Sequence, residues 1–231
     1  MAQKINPTSF RLGTNQIWDS SLQIYGKSFT FYFLNFHKFF QIKRFLYRFF
    51  DLNNFILVQE EIKTKKNKLF LNLYYSYLPE SKKDKNHLFT KQLINIISQW
   101  YKTDVYFRFY FQFQETSTLN LIIAYSQFLF TKNFSAKKII LSLCVLLEKQ
   151  LNSHKFSYFK NGFRKVILKG FKLRLAGRFE GSKTQMAQTI EYTIGSSPLT
   201  CLNSYVEFKK KDIFTKSGIC GFQIWLFYKL Q

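Results

Sequence analysis

The chain has 231 residues, with 35 Lys and Arg against 13 Asp and Glu, a formal net charge of +22 at pH 7. So many uncompensated like charges repel one another, which excludes an electrically self-sufficient protein and calls for a polyanion, nucleic acid first and an anionic membrane surface second. Hydrophobic residues at 46% and aromatics at 20% exclude a disordered basic tail, and no run approaches the ~18 uncharged apolar residues of a membrane span.

Residues 1–35 are short polar and apolar stretches punctuated by Pro7, Gly13 and Gly26. They read as an extended arm that orders on assembly. Phe36–Phe50 reads as an amphipathic helix, with His37, Gln41, Arg44 and Arg48 on one stripe and Phe36, Phe39, Phe40, Leu46 and Phe50 largely elsewhere. Two strands follow. Phe55–Ile62 is rich in β-formers, and Lys68–Leu78 alternates with Leu69, Leu71, Leu73, Tyr75 and Tyr77 on one face. Thr64–Lys68 is a basic turn between them, and Pro79–Asn86 is a charged loop. His87–Tyr101 is a helix with Phe89, Leu93, Ile96, Ile97 and Trp100 on one side. Asp104–Gln112 alternates as a strand, Val105, Phe107, Phe109 and Phe111 against Tyr106, Arg108, Tyr110 and Gln112.

A second unit begins near Leu119. Leu119–Phe130 and Ser135–Ser153 read as helices, and Lys155–Val166 extends the second despite Gly162. Ile167–Leu175 is a strand, Gly177–Gly195 a glycine-containing segment, and Ser204–Lys210 with Ile219–Lys229 a hairpin. The layout is α+β in both halves, divided as an arm (1–35), a first domain (36–117) and a second (118–231).

No catalytic constellation emerges. His37, His87 and His154 lie in separate segments and form no cluster in sequence. The run Gly177-Arg-Phe-Glu-Gly181-Ser-Lys183-Thr184 has three residues between its glycines where a phosphate loop needs four, and its Ser precedes the Lys. Cys144, Cys201 and Cys220 are far apart, without metal-ligand spacing, and read as small core residues. Neither enzyme, cofactor nor metal is expected. The cations are the informative feature. Between residues 155 and 183 stand Lys155, Lys160, Arg164, Lys165, Lys169, Lys172, Arg174, Arg178 and Lys183, with Glu180 as the one acid. This region reads as an RNA-facing surface. Tyr106, Arg108 and Tyr110 are placed to stack bases, but in so aromatic a chain they read first as sheet and core residues. The abundance of Phe and Lys with only five Ala, nine Gly and three Pro suggests AT-rich coding, as in organelles and reduced bacteria.

Ala2-Gln3-Lys4-Ile5-Asn6-Pro7, Phe10-Arg11-Leu12-Gly13 and Trp18 resemble the opening of the small-subunit ribosomal protein S-three family. Gly170-Phe171-Lys172-Leu173-Arg174-Leu175-Ala176-Gly177-Arg178-Phe179-Glu180-Gly181 resembles that family's glycine–arginine signature, and Pro198-Leu199 and Gly218–Phe227 with Trp225 fall in matching places. The resemblance is sharp over 1–20 and 165–228. It implies a prokaryotic-type K-homology domain in the N-terminal half and a distinct α+β C-terminal domain. It further implies a place in the head of the small subunit, on rRNA beside the mRNA entry channel, among neighbouring head proteins. Basic residues on the helix before the C-terminal strand would face incoming mRNA, here Lys155, Lys160, Arg164 and Lys165. The RNA-binding set is then Lys4, Arg11, Arg44 and Arg48 with the nine cations of residues 155–183.

One departure from the family is plain. A K-homology module clamps nucleic acid with a GXXG loop, because glycine lets the backbone approach phosphates. No glycine occurs between Gly26 and Gly162, so the domain is degenerate. The function expected is a non-catalytic, rRNA-binding constituent of a small ribosomal subunit, in the mitochondrial matrix before a plastid or reduced bacterium. The competing readings are a free-standing RNA-binding regulator and a peripheral membrane protein, without stable insertion, whose helix Phe36–Phe50 lies on anionic lipid. Replacing Lys82, Lys83 and Lys85 of the glycine-free loop with Ala is expected to weaken RNA binding only modestly in a filter-binding titration. Loss of all specific binding would show that the loop still clamps.

Overall fold

A computed structural model describes residues 5–18, 29–65, 68–77, 86–100, 104–112, 118–160, 162–179, 186–216 and 218–230. Two compact units divide the chain: residues 21–121, and residues 1–20 together with 122–231.

The first unit contains α2 (Phe29–Leu52), β1 (Phe55–Lys65), β2 (Lys68–Tyr77), α3 (Asn86–Trp100) and β3 (Val105–Phe111), after α1 (Pro7–Arg11) of the other unit. Its sheet has the order β1-β2-β3, antiparallel between β1 and β2 and parallel between β2 and β3. Period-two alternation sends Leu69, Leu71, Leu73 and Tyr75 of β2 to one face. There they meet Ile42, Leu46 and Phe50 of α2, four residues apart, and Leu93 and Ile97 of α3. Asn54 ends the turn out of α2 in the left-handed region, φ 59°, a conformation asparagine tolerates. Lys43 Nζ, 2.7 Å from Glu60 Oε1, ties the helix to β1. The helix expected from Phe36 begins at Phe29.

Helix α4 (Leu119–Thr131) spans the division between the units. The second unit continues with α5 (Ala136–Glu148), β4 (His154–Phe159), β5 (Gly162–Gly177), β6 (Gln188–Gly195), β7 (Ser204–Thr215) and β8 (Gly218–Leu230). Its sheet runs β4-β5-β8-β7, all neighbours antiparallel, and β6 pairs with β5 farther along the same strand. Phe171, Leu173 and Leu175 of β5 and Phe222, Ile224 and Leu226 of β8 form one fully buried face, and α5 lies against β5 and β6. The extension of the second helix through Lys155–Val166 is overturned. Helix α5 ends at Glu148, Asn152 takes a left-handed φ of 65° and Gly162 a φ of 104°. Between these two breaks the alternating aromatics of Phe156–Phe159 pair as a strand, β4. The segment Gly177–Gly195 likewise contributes a strand, β6. Cys144 and Cys220 are buried as expected, whereas Cys201 is exposed.

Where the end of β6 passes β5, the backbones nearly touch. A Cβ on Gly170 would fall against Ser196 O, 2.8 Å from Ser196 N and 2.9 Å from Ile194 O. Only glycine fits this crossing.

The opening residues, expected as an extended arm, instead form α1 and seat on β7. Asn6 caps the helix by accepting from Thr8 N at 3.0 Å, and Pro7 supplies a fixed φ where no N–H is required. Arg11 is fully buried. Its Nε donates to Ser204 O at 2.9 Å and its Nη1 to Pro7 O at 3.1 Å. Its Nη2 faces Pro198 O, Leu199 O, Cys201 O and Ser204 Oγ at 3.0, 3.1, 2.7 and 3.1 Å. Burial lowers the guanidinium's pKa from its usual value, while the Cys201 thiol acts in the opposite direction. The expectation that Arg11 contacts RNA is therefore corrected: its donors are all turned into the protein. Lys4, the other cation expected of the arm, lies outside the described residues.

Two outcomes are expected in urea unfolding. Gly170→Ala lowers stability by about 1–3 kcal/mol, as overpacking does, whereas Gly221→Ala, whose nearest neighbour would be 3.7 Å away, changes it by less than ~0.5 kcal/mol. Arg11→Ala costs about 3 kcal/mol or more by leaving buried carbonyls without donors. Arg11→Lys recovers only part of that, since an ammonium cannot reproduce the planar fork. Full stability of Arg11→Ala would contradict the structural role.

Candidate nucleic-acid interface

The basic region of residues 155–183 is organised by the β4–β5 hairpin. Asn152 N donates to Leu168 O at 2.9 Å and Leu168 N to Ser153 O at 3.1 Å, which pins the entry to the hairpin. Beyond that point Ser157 and Phe159 turn inward, while Phe156 and Tyr158 turn out. Gly162 provides the positive φ of the turn, with open space where a Cβ would stand. The register sets Tyr158 opposite Phe163, ring centroids 4.9 Å apart, and Phe156 opposite Lys165. Phe156, Tyr158 and Phe163 are 70%, 58% and 77% exposed. Lys160 and Arg164 are exposed and Lys165 is half-buried. Among the described residues no acid pairs with any of these three. The hairpin thus offers free cations beside open π-faces, which suits phosphates and unpaired bases at once.

The other cations of the region divide into two groups. Lys155 Nζ lies 2.7 Å from Glu207 Oε1, and Tyr205 and Tyr228 donate to the same carboxylate at 3.2 and 3.5 Å. Burial, then the Glu207 charge, pushes the Tyr228 hydroxyl well above the ordinary tyrosine range, so it remains a donor. Lys172 Nζ and Arg174 Nε hold Glu191 from two sides, at 2.8 and 3.0 Å. The Arg174 contact is an ion pair whose angle does not make a hydrogen bond. Lys172 also stands 5.6 Å from the centroid of Trp225, which packs against Phe208 at 5.1 Å. Lys155, Lys172 and Arg174 are therefore engaged in the fold. Lys169 is exposed, its Nζ donating to Asn152 Oδ1 at 2.9 Å, and Arg178 is exposed beyond β5. Lys183 lies outside the described residues. Arg44 and Arg48 are exposed on α2, in the other unit.

The hairpin corrects one expectation: Lys155, Lys160, Arg164 and Lys165 stand on strands and their turn, not on a helix. The sequence reading also missed Phe156, Tyr158 and Phe163. Their alternation was the available signal, hidden by treating the segment as helical. Among the described residues no helix is long and apolar enough to cross a membrane.

No family model matches the chain. Comparison with curated proteins gives relatives along nearly its whole length. The small ribosomal subunit protein uS3m of Chondrus crispus is 45% identical over 229 residues, 99% of this chain and 94% of the relative. The small ribosomal subunit protein uS3 of Carsonella ruddii is 28% identical over 99% of this chain and 98% of its own length. That of Leptospira biflexa serovar Patoc is 25% identical over 98% of this chain and 90% of its own length. Extending well beyond the two blocks where the motifs are sharp, this similarity establishes that the chain belongs to the small ribosomal subunit protein uS3 family, in a divergent form of mitochondrial type.

Proposed function

We propose that the chain is a structural constituent of the small subunit of the mitochondrial ribosome and holds small-subunit rRNA in its head, beside the mRNA entry channel. The observation that carries this reading is the β4–β5 hairpin, where Lys160, Arg164 and Lys165 have no acid beside them and Phe156, Tyr158 and Phe163 stand open. Cations in this state release counterions from RNA, whereas those already paired with Glu207 or Glu191 contribute little. Lys169 and Arg178 extend the contact along β5. Anchoring is electrostatic, and the stiff sheet beneath the hairpin fixes the spacing of the charges. Incoming mRNA and neighbouring head proteins are the remaining partners of this reading, and it assigns no catalytic step.

The order α2-β1-β2-α3-β3, with one antiparallel and one parallel pairing, supports a K-homology-like scaffold for the first unit. The segment between β2 and α3, where its clamp would lie, contains no glycine. In this reading the first unit has kept the scaffold and lost that mode of gripping the backbone.

In sucrose gradients the chain is expected to travel with small-subunit particles at low salt. Remaining off those particles, or floating with anionic liposomes free of RNA, would overturn the ribosomal reading. The triple variant Lys160→Ala, Arg164→Ala, Lys165→Ala should flatten the dependence of log K on log salt by about 2 to 3, roughly 0.7–0.9 per lost phosphate contact. An unchanged slope would remove the hairpin as the anchor.

A further inference from the structure

We infer that the β1-β2-β3 sheet carries a second RNA-binding face, which takes single-stranded RNA by stacking its bases on paired aromatic rings. Helices α2 and α3 supply the core partners of one side of this sheet. Its other side displays Phe70, Asn72 and Tyr74 of β2 opposite Tyr106, Arg108 and Tyr110 of β3. The rings of Phe70 and Tyr106 stack at 5.2 Å and 14°, and those of Tyr74 and Tyr110 at 4.9 Å and 17°. Tyr106 and Tyr110 remain 45% and 40% exposed. Because β3 ends the strand order, the two tyrosines are the outer members of their stacks. Each keeps one π-face without a ring partner among the described residues.

The charges around the rings specify the occupant. Lys68 Nζ lies 5.5 Å from the Tyr106 centroid and 3.4 Å from its hydroxyl. Arg108 is exposed between the two stacks and pairs with no acid among the described residues. Lys63 faces Phe70 from β1, and Glu61, 3.5 Å from Lys63, also accepts from Asn72 at 3.3 Å. Lys63, Lys68 and Arg108 thus stand beside these rings, with Glu61 held between Lys63 and Asn72 and Asp104 exposed at the start of β3. Tyr106 and Tyr110, four residues apart on one strand, are separated by ~13 Å, with the guanidinium-bearing residue midway. That arrangement, ring, cation, ring, suits two bases spaced along an extended strand with phosphate charge between them. A duplex keeps its π-faces internal and cannot use such rings, whereas unpaired bases can, regardless of sequence. A lipid surface would meet two phenol hydroxyls and an arginine here, without an aliphatic patch to bury. Read first as sheet and core residues, these tyrosines do stack within the sheet, and base stacking is added to that role.

This face shares no residue with the β4–β5 hairpin, so each can fail alone. The test uses the full chain and fluorescence anisotropy with a labelled oligouridine and an RNA duplex of equal length. Tyr106→Ala with Tyr110→Ala should weaken oligouridine binding ~5- to 100-fold per lost stack and leave duplex binding unchanged. Tyr106→Phe with Tyr110→Phe should retain both. Unchanged oligouridine affinity in the alanine variant, or an equal loss for both RNAs, overturns the proposal. An independent check on the unmodified chain is photocrosslinking to 4-thiouridine-substituted oligouridine. Adducts at Tyr106 or Tyr110 support the stacking face, and adducts confined to Phe156–Lys165 overturn it.

Discussion

A single buried guanidinium organises the junction between the start of the chain and its C-terminal sheet. Arg11 reaches the carbonyls of Pro198, Leu199, Cys201 and Ser204 from α1, and without it that loop would keep only the Ser204 hydroxyl, which faces Pro198 O and Cys201 O, in place of the guanidinium's donors. Among the described residues no carboxylate is one of its partners. A charge without a counter-ion normally makes burial costly, but here several neutral oxygens share it. The cage explains how residues 196–203, which lie between strands, adopt one conformation. That conformation matters farther on, because Ser196 follows the point where Gly195 and Gly170 cross.

The same economy governs the rest of the charge. Acids are scarce, and two of those in the second unit organise cations inside the fold: Glu207 gathers Lys155 and two tyrosines, and Glu191 gathers Lys172 and Arg174. Cations at the hairpin tip have no such acid. The net positive charge is therefore concentrated by subtraction, and the outward field is strongest where the fold has left its cations unpaired. Aromatic residues follow a parallel division. Phe171, Phe222 and Phe227 fill the core, while Phe156, Tyr158, Phe163, Tyr106 and Tyr110 remain on surfaces.

Alternation was legible wherever one face was apolar throughout. Leu69 to Tyr75, Val105 to Phe109 and Phe171 to Leu175 announce their strands, and the return of Leu93 and Ile97 one helical turn apart announces α3. Legibility failed at Lys155–Val166, where both faces of the hairpin carry large rings and mixed charge. There the helix-to-strand change rests on two backbone conformations, at Asn152 and Gly162, that periodicity does not reveal. Arg11 failed for a different reason. A lone arginine in a polar segment looks like any surface cation, and its cage is assembled from residues more than 180 positions away. The site was visible as a charged region, but which of its cations are free depends on Glu207 and Glu191, both distant in sequence from several of their partners.

Strand β5 has a further consequence, one concerned with the order of synthesis. It is the spine of its sheet, with β4 and β6 sharing one edge and β8 occupying the other. Half of its hydrogen-bonding capacity is therefore committed to residues 218–230, which emerge roughly fifty residues later, and α1 waits for β7 from the very beginning. Until β8 arrives, one backbone edge of β5 remains unpaired, and until β7 is made the first helix has nowhere to dock. A chain built this way acquires its C-terminal unit late and all at once, and its most exposed interval falls between the making of β5 and the making of β8.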